Sequence, residues 1–319
     1  MPRAASILQR METTLTPDKS PAWYDEQYNN RARIPGHPAI LAHWAAASAE
    51  ALAMHPEMVE VAYGDDASER LDVFPARSSS EVAGAPVLVY IHGGYWRALS
   101  KRDQSFIAPP FSRAGAMVVV PDYALCPAVT ISHIVQQMVR ALDWTYRHAA
   151  EYGGNPDRIV VAGHSAGGHL AAMLLACDWK GVASDLPADV VKAALSVSGL
   201  YDLEPLRHAP FLSADLGLTE ASARRLSPAF MPAPKGSLVS VVGGDESEEF
   251  HRQGALIESA WGPNTVVANE SVPGRNHMDV IHELADAAST THALTLELLG
   301  LRTRSSSQRV ASSAGSGLA

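Results

Sequence analysis

The stretch with the most chemical potential is Gly163-His164-Ser165-Ala166-Gly167. A serine hydroxyl is a weak nucleophile until a base takes its proton, and it must stand clear of the chain to reach a carbonyl. Glycines on both sides of Ser165 suit a sharp, strained turn between a strand and a helix. Such a turn lifts the hydroxyl out of a sheet and sets it at the positive end of a helix, where developing negative charge is stabilised. The flanks agree. Arg158-Ile159-Val160-Val161 is a β-branched run of strand character, and Leu170 to Leu175 is small and apolar, as a buried helix requires. The competing reading, a glycine turn holding an incidental serine, leaves those flanks unexplained.

An activated serine needs a base, and the base needs a carboxylate to orient it. When the nucleophile sits on such a turn, the chain order is serine, acid, histidine. Leu238 to Val242 followed by Gly243-Gly244-Asp245 supplies strand, glycine turn and acid; Val266 to Val272 followed by Pro273-Gly274-Arg275-Asn276-His277 supplies strand, turn and base. Asp245 and His277 are therefore the expected partners of Ser165. The rivals are Asp202, which also follows a strand, Glu246 and Glu248 just after Asp245, and His282 in the helical stretch beyond His277. Strand-end placement favours Asp245 and His277.

Acyl transfer also needs N–H groups for the oxyanion. His92-Gly93-Gly94-Tyr95-Trp96 follows the apolar strand ending at Ile91, and paired glycines let N–H groups converge without side-chain clash. Gly93, Gly94 and Ala166 are the expected donors, and Tyr95 and Trp96 the expected substrate contacts. Trp23, Tyr24 and Trp44 are further candidates for an aromatic wall, with core packing as the alternative. No metal site is expected, since His164-x4-His169 and His277-x4-His282 have no second carboxylate or cysteine cluster at ligand spacing. Neither a dinucleotide nor a Walker phosphate loop is present, so no cofactor is expected.

These residues need a scaffold. Short strands are expected near Met58–Tyr63 and Arg70–Phe74, with central strands at 86–91 and 116–123, the elbow strand, and strands at 190–197, 237–242 and 265–272. Helices are expected at 38–54, around 104–113, at 131–145 with apolar residues every three or four positions, near 219–226, at 248–261, and as one final helix from about Met278 to Leu299. The first helix after the elbow strand's predecessor should end near Gly153-Gly154-Asn155-Pro156. Residues 82–85 read as a loop. Alternation of strand and helix without internal repeats predicts one doubly wound α/β domain at 21–301, a mostly parallel sheet with helices on both faces, and residues 21–56 lying across one end. Residues 1–20 and 302–319 read as disordered tails. Translation could start at Met1 or Met11.

The composition fits this frame. Of 319 residues 47% are hydrophobic and 18% charged, enough for a sizeable core. A formal charge of −9 argues against nucleic acid or an anionic membrane as partner. Two cysteines, Cys126 and Cys177, make no disulfide framework, and with no signal peptide or membrane span visible a cytoplasmic location is expected. The expected partner is a small-molecule substrate; a homodimer is compatible with the sequence but not specified by it.

The elbow, the order Ser165, Asp245, His277 and the His92-Gly93-Gly94 loop resemble the α/β-hydrolase superfamily of esterases and lipases. The segment His92-Gly93-Gly94-Tyr95-Trp96 is similar to the HGGYW motif of kynurenine formamidases (arylformamidases). Three further stretches are similar to bacterial members of that group: Tyr28-Asn29-Asn30-Arg31, Gly163 to His169, and Gly244-Asp245-Glu246-Ser247-Glu248-Glu249-Phe250-x-Arg252-Gln253. The resemblance runs from about Trp23 to Leu299. One departure is Met278, where the group commonly has Phe after the catalytic histidine; this bears on substrate preference. The resemblance implies an α/β-hydrolase fold and a serine hydrolase that removes a small acyl group, formyl at best, from an aryl amine or alcohol. Esterases carry the same motif set, so a general carboxylesterase is the alternative, and a non-catalytic hydrolase fold that binds a ligand is a third reading.

Overall fold

A computed structural model describes residues 19–77 and 84–303; nearly all of the two tails, residues 82 and 83 of the expected loop and the choice between Met1 and Met11 lie outside them, while Ala85, expected in that loop, instead opens a strand paired with Gly154. Eight strands form one sheet: β1 Val59–Ala62, β2 Arg70–Phe74, β3 Ala85–Ile91, β4 Met117–Pro121, β5 Gly154–His164, β6 Val191–Val197, β7 Ser237–Gly243 and β8 Val266–Val272. Their spatial order is β1-β2-β4-β3-β5-β6-β7-β8. The β1–β2 and β2–β4 pairs are antiparallel and all others parallel. The helices used below are α1 Pro21–Tyr28, α2 His37–Ala53, α3 Ile131–His148, α4 Ala166–Leu175, α5 Pro210–Leu216, α6 Glu248–Trp261 and α7 Thr290–Leu298.

Strand β3 shows why an apolar run rather than an alternating one marks the centre of such a sheet. All seven of its residues are buried. Val87, Val89 and Ile91 point into one core with α3 and α4, while Leu88 and Tyr90 point into the other with Trp44 and Phe111. Both faces are covered by helices, so neither alternate set can be polar. The period of α3 works the same way: Ile131, Ile134, Met138, Ala141, Leu142 and Thr145 are buried, and the Thr130 side chain caps the first turn at the His133 N–H.

Three expectations need correction. The final helix is broken: after a short turn at His282–Ala285 the chain extends, and α7 begins afresh. Ser289 sets the break, because its extended backbone lets the hydroxyl accept from the His292 N–H at 2.9 Å while donating to the Glu283 carbonyl. Gly154 belongs to β5 and pairs with Ala85, so the glycine pair at 153–154 starts a strand as well as ending a helix. The stretch around 104–113 is three short pieces, and Pro109 and Pro110, which lack N–H groups, sit in the first turn of the last.

The N-terminal segment is fastened to the end of the sheet where β5, β7 and β8 finish. Tyr28 donates to Glu249 Oε2 at 2.7 Å and accepts from Gln253 Nε2 at 3.2 Å, both on α6. Asp25 accepts from the Phe211 N–H on α5 at 3.1 Å. Ser20 caps α1. These bonds set Asn29, Asn30 and Arg31 beside the end of the sheet that carries Ser165.

Candidate active site

At the end of β5 the chain reverses in one residue. Ser165 has φ 57° and ψ −115°, and α4 begins at Ala166. A non-glycine residue in that conformation is strained, and the surroundings hold it there. The Ser165 N–H donates to the Val197 carbonyl at the end of β6, 2.8 Å away. Close approach of α4 to β3 holds the other side: a Cβ on Gly167 would lie 2.0 Å from the Ile91 carbonyl oxygen. The Ala166 N–H, first in its helix, has no intrahelical acceptor.

His277 follows β8, and its Nε2 lies 3.0 Å from Ser165 Oγ. Its Nδ1 lies 2.7 Å from a carboxylate oxygen, but the carboxylate is Glu246, not Asp245. This corrects the expectation from sequence. After β7 the glycines stay in strand register, with the Gly244 N–H bonded to the Val272 carbonyl at 2.7 Å. The tight turn that follows, closed by the Glu246 N–H on the Gly243 carbonyl at 3.1 Å, leaves Asp245 exposed and turns Glu246 inward. Glu246 Oε1 is held by the Gly243 N–H at 2.7 Å and by the Ser198 hydroxyl. An ionised Glu246 fixes the proton on Nδ1, which leaves Nε2 with a lone pair facing the serine hydroxyl. The other rivals are engaged elsewhere. Asp202 pairs with Arg252 at 3.3 Å, Glu248 is exposed in the first turn of α6, and His282 Nε2 accepts from Trp44 Nε1 at 3.0 Å.

The backbone of His277 is fixed too. His164 Nε2 donates to the His277 carbonyl at 2.7 Å. Burial pushes the His164 pKa down to about 3, so this ring is a neutral donor and carries no charge beside the base. The Phe250 ring packs against the His277 imidazole at 4.4 Å between centroids.

The loop after β3 is braced from below. The His92 ring stacks on Tyr123 at 4.1 Å and bonds the Asp122 carboxylate at 3.1 Å, while Tyr123 donates to the His92 carbonyl at 2.9 Å. Of the expected oxyanion donors, Gly93 does not fit: its N–H is turned to Gln104 Oε1 at 3.3 Å, and a Cβ at this position would lie 2.8 Å from the His164 carbonyl oxygen. Gly94 adopts φ +109° and lines the cavity with Ser165. Gly94 and Ala166 are thus the expected donors whose N–H groups stay uncommitted among the described residues.

The cavity above Ser165 holds about 360 Å³ and is walled by Trp44, Tyr95, Leu99, Phe211 and Met278, with Asn29, Asn30 and Arg31 on the N-terminal side. Tyr95 lines this cavity. Its hydroxyl donates to the Tyr28 carbonyl at 2.6 Å and accepts from Asn30 Nδ2 at 3.2 Å. Trp96, the other expected substrate contact, does not: it is fully buried in the core, edge-on to His169 at 5.0 Å. Positive φ at both residues sends adjacent side chains to opposite sides of the loop. Of the three N-terminal aromatics Trp23, Tyr24 and Trp44, only Trp44 lines the cavity; Trp23 packs edge-on to Tyr24, which stacks on His208. Two further wall residues were not expected: Phe211, which α5 brings to the site through tertiary packing, and Leu99, which the loop after β3 presents at φ 70°.

Among the described residues, no three His, Cys, Asp or Glu side chains converge to hold a metal ion, and no helix is long and apolar enough to cross a membrane. Cys126 and Cys177 are both free.

Strand order and the strained serine after β5 define the class: an α/β hydrolase. A family model described as BD-FAE matches residues 71–209. A kynurenine formamidase of Danio rerio is 34% identical over 254 residues, covering 76% of this chain and 82% of that one. The esterase LipQ of Mycobacterium tuberculosis is 35% identical over 151 residues, 45% of this chain and 35% of its own. A solved structure from Silicibacter sp. TM1040, assigned as a thioesterase, superposes with a TM-score of 0.72 at 31% identity, covering 84% of this chain and 97% of that one. The chain belongs to the family of α/β hydrolases that contains the kynurenine formamidases.

Proposed function

We propose that the protein is a serine hydrolase that removes a small acyl group, formyl in the first instance, from an aromatic amine or alcohol. The observation that carries this reading is the bonded chain Ser165–His277–Glu246, at 3.0 and 2.7 Å, on the floor of a cavity with aromatic walls. His277 takes the Ser165 proton as the hydroxyl oxygen attacks the carbonyl carbon. Glu246 holds the imidazole in its tautomer and stabilises the imidazolium. The N–H groups of Gly94 and Ala166 receive the oxyanion. Collapse of the tetrahedral intermediate breaks the bond to the leaving group, whose nitrogen or oxygen takes the proton back from His277. Water then releases the acyl-enzyme with His277 as base again.

The similarity to kynurenine formamidases over three quarters of the chain supports N-formylkynurenine as the substrate type. The similarity to LipQ supports an ester reading. An acyl series on one aryl leaving group, measured beside N-formylkynurenine, separates the two. Formamide turnover comparable to the best ester is the expected result. A kcat/KM that rises from formyl through butyryl, with no formamide cleavage, would establish a short-chain carboxylesterase instead. Covalent labelling by a sulfonyl fluoride is expected at Ser165. A cytoplasmic location and a homodimer fit this reading and are tested by fractionation and by light scattering.

A further inference from the structure

The cavity contains three charged side chains, Arg31, Arg97 and Asp215. Two of them cancel. Arg97 Nη1 bonds the Asp215 carboxylate and the Phe211 carbonyl, the latter at 2.7 Å, and its guanidinium lies over the Phe211 ring at 5.5 Å. Arg31 is different. It sits in the short helical turn Asn30–Arg33, and among the described residues it has neither an ion-pair partner nor a hydrogen-bond acceptor. Its neighbour Arg33 is tied back to the Glu26 carbonyl at 3.1 Å, so the two arginines of that turn are not equivalent. Beside Arg31, the Asn29 Oδ1 caps the same turn by accepting from the Ala32 N–H at 3.2 Å, which leaves the Asn29 amide nitrogen as a donor. The N-terminal wall of the cavity, beside Tyr95, thus offers an uncompensated cation and an amide donor, in a chain whose formal charge is −9.

We infer that Arg31 selects substrates that carry a carboxylate, and that the anion lies on the leaving group. The second clause rests on the proposed small-acyl chemistry: a formyl or acetyl group has no room for a carboxylate, so the charge must be on the aromatic part. A guanidinium binds a carboxylate through two parallel N–H bonds, which orients the aromatic ring as well as holding it. Because Arg31 is exposed, water and salt screen the attraction, and its effect is a preference of about tenfold rather than an absolute requirement. The ligand class is therefore an aromatic amine or phenol with a carboxylate in reach of the N-terminal turn.

The test uses the full chain in two arms. In the turnover arm, 4-carboxyphenyl acetate and its uncharged 4-carbamoyl analogue are compared on wild type, Arg31→Gln and Arg31→Lys. The glutamine variant is expected to lose about tenfold in kcat/KM on the carboxylate ester, through KM, and to stay within twofold on the carboxamide. The lysine variant keeps part of the preference, and raising the salt concentration erodes it in wild type and in the lysine variant but not in the glutamine variant. In the binding arm, 2-aminobenzoate and 2-aminobenzamide are titrated into Ser165→Ala protein with and without Arg31→Gln, by calorimetry. Tighter binding of the carboxylate that disappears with Arg31→Gln supports the inference even if neither ester is cleaved, an outcome that would sink the hydrolase reading alone. Equal binding of acid and amide to the Ser165→Ala protein, or an equal loss on both esters in Arg31→Gln, overturns it.

Discussion

Glu246 and Asp245 are adjacent carboxylates on one loop, and only the backbone turn decides which meets His277. Strand, glycine turn and acid are readable in the chain; the direction of a turn is not, because it depends on the pairing of Gly244 with β8, far away in sequence. Glu246→Gln is expected to lower kcat by about 10³ to 10⁴, since a neutral amide can hold the imidazole in the wrong tautomer. Asp245→Asn, at an exposed position, stays within a factor of two. Steady-state kinetics on one aryl ester decides between them, and the opposite ranking would reinstate Asp245. Ser165→Ala is expected to remove about 10⁴ to 10⁶ of the rate while the protein melts as a folded domain. Residual activity above a tenth of wild type would end the nucleophile assignment.

The same scale holds an acid lability. Burial lowers the pKa of His164 to about 3 and of His169 to about 4, against an ordinary value of 6.5. Both rings are then neutral in the folded state at pH values where the unfolded chain protonates them. The unfolded state binds more protons, so stability is full above about pH 6.5 and falls as the pH drops toward 4, by up to ~1.4 kcal/mol per pH unit for each ring. Urea melts between pH 7 and 4.5 check this. A His169→Gln variant, which keeps a donor for the Leu226 carbonyl, is expected to show the shallower slope. An unchanged slope would mean that other groups govern acid unfolding.

At the scale of elements, periodicity and β-branched runs disclosed the strands that carry the chemistry, and α3 and α6, because those signals come from burial on a regular surface. The elements that close the site were harder to see. Helix α1 is held by Tyr28, whose hydroxyl meets Glu249 and Gln253 more than two hundred residues away. Trp96 follows Tyr95 but is buried beneath the loop, since two consecutive left-handed residues defeat any inference from adjacency. The crossing of α4 over β3 leaves no room for a side chain. Gly167→Ala would force a methyl to within 2.0 Å of a backbone oxygen, so expression is expected to yield insoluble protein or one with a sharply lowered melting temperature. Tyr28→Phe is milder. It removes a buried hydroxyl but leaves Glu249 its Arg252 partner at 2.9 Å, at a cost of about 1–2 kcal/mol. Loosening α1 should raise KM more than it lowers kcat; a pure kcat defect would place the effect in the triad instead.

Across the whole molecule, labour is divided between two parts of the chain. Sheet-end loops supply the serine, histidine and glutamate, while residues 29–44 supply much of the wall that a substrate would touch. The two parts meet through a few bonds: Tyr28 with α6, Asp25 with α5, and Trp44 with His282. A hydrolase built this way can change its diet by rewriting a short stretch near its beginning, without disturbing the strained serine or the register of eight strands. Swapping that stretch between relatives, with its anchoring tyrosine and tryptophan retained, would move selectivity as a cassette. Lineages that diverged in substrate while keeping one catalytic engine would then differ most where the chain first folds over its own active site.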